Sequence, residues 1–203
     1  MMLTGKEDPR VQKTIESIKE SFHDLILEKD YEKITVKELC GRARINKKTF
    51  YTYYGTLDAL LLEMQSSIAA EYLERIKGLT LKDMKQLVRE FFLFSEEQGP
   101  FYEKITCGGS YAGIRQGMIE KVHDGSDMYA ELRGMPEDEQ EIVEACIADM
   151  LLGMYSHWIA SGKKVPVDRI IALSTELVIN GIQKYMKQGK QETAHDGNKI
   201  PQF

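Results

Sequence analysis

The chain has 203 residues, 42% hydrophobic and 29% charged, with a formal net charge of −5. That composition suits one or two folded domains and excludes low-complexity, collagen-like and disulfide-framework classes. Its three cysteines, Cys40, Cys107 and Cys146, are widely spaced and odd in number, which gives neither a disulfide set nor a metal cluster. No charged-then-apolar leader and no apolar run of membrane length is visible, so the expected setting is the cytoplasm, with no membrane partner.

In chain order, Val11, Ile15, Ile18, Phe22 and Leu25 recur at spacings of four and three, an amphipathic first helix. Thr35 precedes Val36-Lys37-Glu38 as a capping box, so a second helix starts near Val36 and buries Leu39 and Ala43, one turn apart. Asn46 is the next N-cap, with Thr49 three residues on. The helix it opens points Phe50 and Tyr54 inward and leaves Lys47, Lys48, Thr49, Tyr51 and Tyr53 wholly or partly outward. That outer surface carries two ammonium groups, a hydroxyl and two phenols, and no acid. Lysine there can neutralise phosphate or donate to guanine, and tyrosine hydroxyls reach phosphates. Gly55 breaks the helix and Thr56 caps the following one, a long helix over about 56–77 ended by Gly78. Thr80 with Asp83 caps a helix to about Gln98, and Gly99-Pro100 interrupts the chain. Two shorter helices are expected over 101–123, broken at Gly108-Gly109, then a polar loop over 124–135. Pro136 opens a long helix to about Ser161, and Pro166 opens the last one. From Gln188 the chain is polar and aperiodic, an expected flexible tail over 188–203. Period-two alternation is absent, so the fold class is all-α.

Two short capped helices around a tight turn, a Phe-Tyr pair, and a third capped helix opening L-D-A-L-L form a helix-turn-helix signature. Over about residues 10–62 this order resembles the N-terminal domain of the TetR/AcrR family of bacterial transcription regulators. The resemblance implies an N-terminal three-helix DNA-binding domain over 9–55 and a larger helical ligand-binding and dimerisation domain over 56–187. It implies phosphate contacts from Thr35 and Lys37, and recognition-helix contacts from Lys47, Lys48, Thr49, Tyr51 and Tyr53, with Phe50 and Tyr54 as packing positions. Two positions depart from the family pattern. Arg44 stands where the turn usually has glycine; a left-handed backbone there costs a non-glycine residue about 1 kcal/mol, which a phosphate contact could offset. Leu57 stands where a phosphate-holding lysine usually opens the fourth helix.

The net charge is at first sight wrong for a DNA partner, but it is unevenly spread. Residues 1–54 hold 11 Lys+Arg against 9 Asp+Glu, a balance of +2, and residues 55–203 hold 16 against 23, a balance of −7. The field at the contact face decides phosphate binding, not the total.

The last two helices carry small residues, Gly153, Ala160, Ser174 and Gly181, that allow close backbone approach, either within the chain or between two copies. The resemblance implies a homodimer through these two helices. Tyr111, Tyr155 and Trp158 are the candidate contacts for an unknown small-molecule effector, since phenols and an indole can orient a bound molecule; aromatics at helical spacing serve equally as core. Cys40 and Cys146 read as small core residues. GGSYAGIRQG over 108–117 lacks the phosphate-loop pattern and any preceding strand. No catalytic motif, metal set or cofactor fingerprint appears, so no enzyme is expected. The expected function is a ligand-responsive homodimeric transcription regulator, a repressor, on a pseudo-palindromic double-stranded DNA operator. The alternative is a helical protein-interaction module whose DNA-binding head is degraded.

Overall fold

The computed structural model describes residues 8–192, apart from the side chains of Ser110, 112–114 and 182–192. It is all-α, with no strand among the described residues. The first helix, α1 (Pro9–Glu28), starts because Asp8 accepts the Arg10 amide at 2.8 Å and Pro9 occupies a first-turn position where its missing N–H costs nothing. It buries Ile15, Ile18, Phe22 and Leu25 along one stripe. Then come α2 (Val36–Arg42), α3 (Lys47–Tyr53) and α4 (Leu57–Arg75), the last capped by Thr56, whose hydroxyl accepts the Ala59 amide at 3.0 Å. The remaining helices are α5 (Met84–Glu97), α6 (Gly99–Cys107), α7 (Ala112–Gly125), α8 (Glu137–Ala160) and α9 (Val167–Glu192). The tail expected from Gln188 begins inside α9, and residues 193–203 lie outside the described residues.

The chain divides into two compact units, one up to Arg75 together with Ser95–Asp124, the other Ile76–Phe94 together with the chain from Gly125 onward. The core of the first is built from Phe22, Leu25, Leu39, Phe50, Leu60 and Leu61, joined by Phe101 and Ile105 of α6. Two contacts tie α6 to α1. The Lys104 ammonium donates to the carbonyls of Leu27 (3.2 Å) and Lys29 (3.0 Å), which satisfies orphan acceptors at the end of α1. Phe101 stacks on His23 at 4.8 Å.

The second unit is organised by a capped turn and an aromatic cluster. Thr80 accepts the Lys82 amide and Asp83 accepts the Thr80 amide, the capping box read from the sequence. Glu131 closes over this turn, accepting from the Thr80 hydroxyl (2.8 Å) and the Leu81 amide (3.2 Å) and pairing with Lys82 at 3.0 Å. Phe91 and Phe92 of α5 meet Tyr155 and Trp158 of α8 in edge-to-face contacts of 5.7–6.2 Å.

Of the small residues on α8 and α9, Ser174 is fully buried within the chain, while Gly153, Ala160 and Gly181 stay exposed. Two expectations change. Cys146 is exposed on α8, not core, whereas Cys40 is buried. No segment of membrane length was expected, yet α8 is long and apolar enough by length and composition to cross a bilayer. Both share one cause. The apolar residues of α8 run round the helix instead of along one stripe, so burying one side leaves Ile142 64% and Met150 39% exposed on the other. Its first turn, Glu137–Glu139, is acidic and Asp149 is exposed, charges that are costly in a bilayer.

Candidate nucleic-acid interface

The turn between α2 and α3 is fixed by backbone chemistry. The Ile45 amide donates to the Cys40 carbonyl (3.0 Å) and the Arg44 amide to Gly41 (3.4 Å), the paired bonds of a Schellman ending. Such an ending needs a left-handed residue, and Arg44 takes it at φ 55°. Ile45 then packs onto the head core, which fixes where α3 starts. Asn46 accepts both the Thr49 amide (2.8 Å) and the Thr49 hydroxyl (3.0 Å), so this hydroxyl is oriented before any ligand arrives. At the start of α2, Thr35 accepts the Glu38 amide at 3.2 Å. The reciprocal half of that box is not the one expected: the Glu38 carboxylate goes to Lys29 at 2.6 Å.

This fold places Thr35, Lys37, Arg44, Lys47 and Lys48 in solvent and leaves Thr49 and Tyr53 partly exposed. Tyr51 stands 55% exposed, its ring edge-on to Phe50 at 5.4 Å, while Phe50 and Tyr54 are buried. The electrostatics sort the nearby cations into two groups. Arg42 is held bidentately by Glu28 (both 2.7 Å), Lys33 by Asp30 (2.7 Å) and Lys29 by Glu38. The Arg42 and Lys33 bonds hold the carboxyls of Glu28 and Asp30 below their usual range. Lys37, Arg44, Lys47 and Lys48 have no ion pair among the described residues. Among these nearby cations, the charge free to meet an anion is therefore that of Lys37, Arg44, Lys47 and Lys48, all on the helix-turn-helix.

A cleft of about 380 Å³ opens next to it, lined by Tyr31, Val36, Tyr51 and Leu57 and by the carboxylates of Glu32 and Asp58. Leu57 lines this cleft, so the side chain expected to be a cation is instead part of an apolar wall. The Tyr31 phenol donates to Asp58, and burial first, then this carboxylate, pushes its pKa up.

The proposed effector contacts do not gather in one unit. Tyr155 and Trp158 lie together, 6.3 Å between centroids, in the second unit. The Trp158 indole N–H is already donated to the Val165 carbonyl at 2.7 Å. Tyr111 belongs to the first unit, in the head core, 5.9 Å from Tyr31. One residue of consequence escaped the sequence reading. Glu63 of α4 is 9% exposed and bonded to Lys19 and Tyr54. A carboxylate at 63, three residues after Leu60 and so near the buried stripe of α4, was the available signal.

Comparison with known proteins agrees with this geometry. Residues 23–64 match the family model described as bacterial regulatory proteins, tetR family. Two curated relatives from Bacillus subtilis (strain 168) are described as uncharacterized HTH-type transcriptional regulators. YxbF is 33% identical over 70 residues, 34% of this chain and 18% of the relative. YdeS is 31% identical over 72 residues, 36% of each chain. The chain thus matches well under half the length of either relative. Among solved structures, a TetR transcriptional regulator from Streptococcus agalactiae 2603V superposes with a TM-score of 0.64 at 21% identity, covering 83% of this chain and 95% of that one. The regulator FadR from Bacillus subtilis, solved in complex with stearoyl-CoA, gives 0.59 at 14% identity, covering 82% and 98%. The dihydroxyacetone kinase operon activator DhaS gives 0.52 at 18% identity, covering 84% and 96%. At these identities the structural likeness is one of fold.

Proposed function

We propose that this chain, whose residues 23–64 match the tetR family model, is a TetR-family transcription regulator: a ligand-responsive homodimeric repressor acting in the cytoplasm on a pseudo-palindromic operator. The observation that carries the DNA half is the set of four unpaired cations, Lys37, Arg44, Lys47 and Lys48, on a capped helix-turn-helix whose other cations are neutralised internally. Lys37 and Thr35 would hold phosphates at the start of α2, and Arg44 would do so from the turn. Lys47, Lys48, Thr49, Tyr51 and Tyr53 would face the major groove.

Dimerisation through α8 and α9 is supported by what those helices leave uncovered. Ile142, Met150 and Leu177 are exposed large apolar residues, with exposed Gly153 and Gly181 on the same two helices. A second copy would bury them as a four-helix interface. Two-fold pairing would set two recognition helices about 34–36 Å apart, or a multiple of that, as successive major grooves require.

The effector would be a small apolar or amphipathic molecule, with Tyr155 and Trp158 as candidate contacts in the second unit; Tyr111, in the head core of the other unit, is not proposed to share that site. A fold neighbour binds stearoyl-CoA, which supports an elongated apolar ligand as the first class to screen. The effector must bind the DNA-competent and DNA-released arrangements differently, or it shifts nothing. A fold neighbour named as an activator means that the sign of regulation is to be read from a reporter, with repression expected.

The deciding experiment selects the purified protein against random duplex DNA across a salt series. Enrichment of a two-fold symmetric motif, with affinity falling steeply in salt, supports the regulator. No enrichment at low salt would overturn it. The interaction-module alternative would then lead, favoured by Leu57 and the cleft it lines in place of a phosphate-holding ammonium.

A further inference from the structure

The recognition helix is two turns long, too short to hold its own direction against thermal bending of its ends. At its start it is fixed by Asn46 and by the packed turn. At its end Tyr54, Gly55 and Thr56 separate it from α4, and Gly55 has open space around it. Backbone connectivity alone therefore leaves the angle between α3 and α4 soft.

A side-chain contact stiffens it. Tyr54, the C-cap residue of α3, is 3% exposed, and its phenol donates to the Glu63 carboxylate of α4 at 3.2 Å. The same carboxylate oxygen sits 2.9 Å from the Lys19 ammonium of α1. One buried oxygen atom thus joins the recognition helix, the scaffold helix and α4. Burial pushes the Glu63 carboxyl up, but hydrogen bonds and neighbouring positive charge, Lys19 among them, hold it below the usual range, so it stays an anion and a strong acceptor. A buried ion pair is a poor source of stability compared with well-packed apolar side chains. What it supplies is geometry, because a charge-assisted hydrogen bond has a preferred length and direction where an apolar contact slides.

We infer that Glu63 is a positioning residue for sequence recognition: through Tyr54, and braced by Lys19, it sets the angle at which α3 is presented to the base edges, although it touches no DNA itself. The inference rests on the DNA-binding reading above. It separates two quantities that depend on different residues. Phosphate contacts from exposed cations set general affinity and its salt dependence, while the angle of α3 sets discrimination between sequences.

The test uses the full chain as wild type, Tyr54→Phe and Glu63→Gln. Tyr54→Phe removes one oxygen and keeps the buried ring, so folding is retained. Affinities are measured for a duplex selected by the wild type and for a scrambled duplex of equal length, each over a salt series. The selected-to-scrambled ratio is expected to fall about tenfold in both variants, the order of one lost hydrogen bond to a charged group. The scrambled-duplex affinity and both salt slopes should stay at wild-type values. A merely stabilising role would lower both affinities together by reducing the folded fraction, with the ratio unchanged, and that result overturns the inference. Amide hydrogen exchange over 47–54 is measured alongside. Faster exchange there than over α1 in both variants is expected, and unchanged exchange also overturns the inference. If the wild type selects no duplex, the DNA reading fails separately, and the exchange result still decides whether Glu63 holds α3.

Discussion

Replacing Arg44 by glycine should stabilise the protein and weaken DNA binding at the same time. Arg44 holds a left-handed backbone, φ 55°, because the Schellman ending of α2 requires one. For an L-residue this conformation costs about 1–2 kcal/mol, and glycine removes that cost. The extra freedom of glycine in the unfolded chain takes back about 0.5–1 kcal/mol. The net gain is about 0.5–1 kcal/mol, which for a chain of this size raises Tm by about 1–4 °C. The DNA side moves the other way. Two copies each lose one phosphate contact, so the exponent relating affinity to salt falls by about 1.8, which at 0.1 M salt is up to roughly sixtyfold in operator affinity. Calorimetry and a salt-series titration on the selected operator measure the two effects. Arg44→Ala is the control, since it removes the charge and keeps the strain: it should lose the same affinity with no rise in Tm. A Tm gain as large in the alanine variant would refute the strain argument. Unchanged affinity and slope in both variants would remove Arg44 from the interface.

Other outcomes follow from the same structure. Lys48→Ala should weaken operator binding and, where Lys48 reaches a base, relax preference at that position by about 1–3 kcal/mol, read by repeating the duplex selection with the variant. Ile142→Lys places a charge in the exposed apolar face of α8 and should shift the protein from dimer to monomer in sedimentation equilibrium without loss of helical circular dichroism. If the variant sediments as the wild type does, α8 is not the interface. The Glu131 carboxyl is pushed up by burial but held below its usual value by Lys82 and Thr80. A depressed folded pKa contributes stability that is present above the unfolded value, near 4.3, and is lost as pH falls through the folded one. Acid unfolding below about pH 4 should therefore be flatter in Glu131→Gln, and an identical pH profile would remove this group from the acid response.

The sequence was most legible where structure is decided by neighbours in the chain. The caps at Thr35, Asn46, Thr56 and Thr80, and the helix end before Gly78, follow from chemistry within five residues. The inward set Leu39, Ala43, Phe50 and Tyr54 follows from helical period alone. Legibility failed where a residue's fate depends on a distant helix. Tyr111 belongs to the head core because α6 docks on α1, a pairing between residues some 75 apart in the chain that no local pattern encodes. Glu38 was read as a reciprocal cap because its spacing from Thr35 is right; Lys29, nine residues earlier, outcompetes the amide as a charged partner. Cys146 was misplaced because α8 is apolar nearly all round, and period cannot choose a face when every face qualifies.

The charge distribution carries the last step. A chain of net −5 should avoid DNA, and even its basic N-terminal part has a balance of only +2. Counting charges hides which of them are already spent. Glu28, Asp30 and Glu38 each close on a cation within 2.7 Å, so three acids and three bases leave the count together. What remains on the reading face is Lys37, Arg44, Lys47 and Lys48 with no acid against them among the described residues. Two phosphate contacts per copy, from Lys37 and Arg44, doubled by two-fold pairing, give a salt exponent of about −3.6, and a single copy would give about half. The slope of affinity against salt thus depends on the number of subunits on the DNA as well as on contacts. A slope that halves in Ile142→Lys on the same symmetric site would tie the exposed face of α8 to the doubling of the reading head, and an unchanged slope would separate the two.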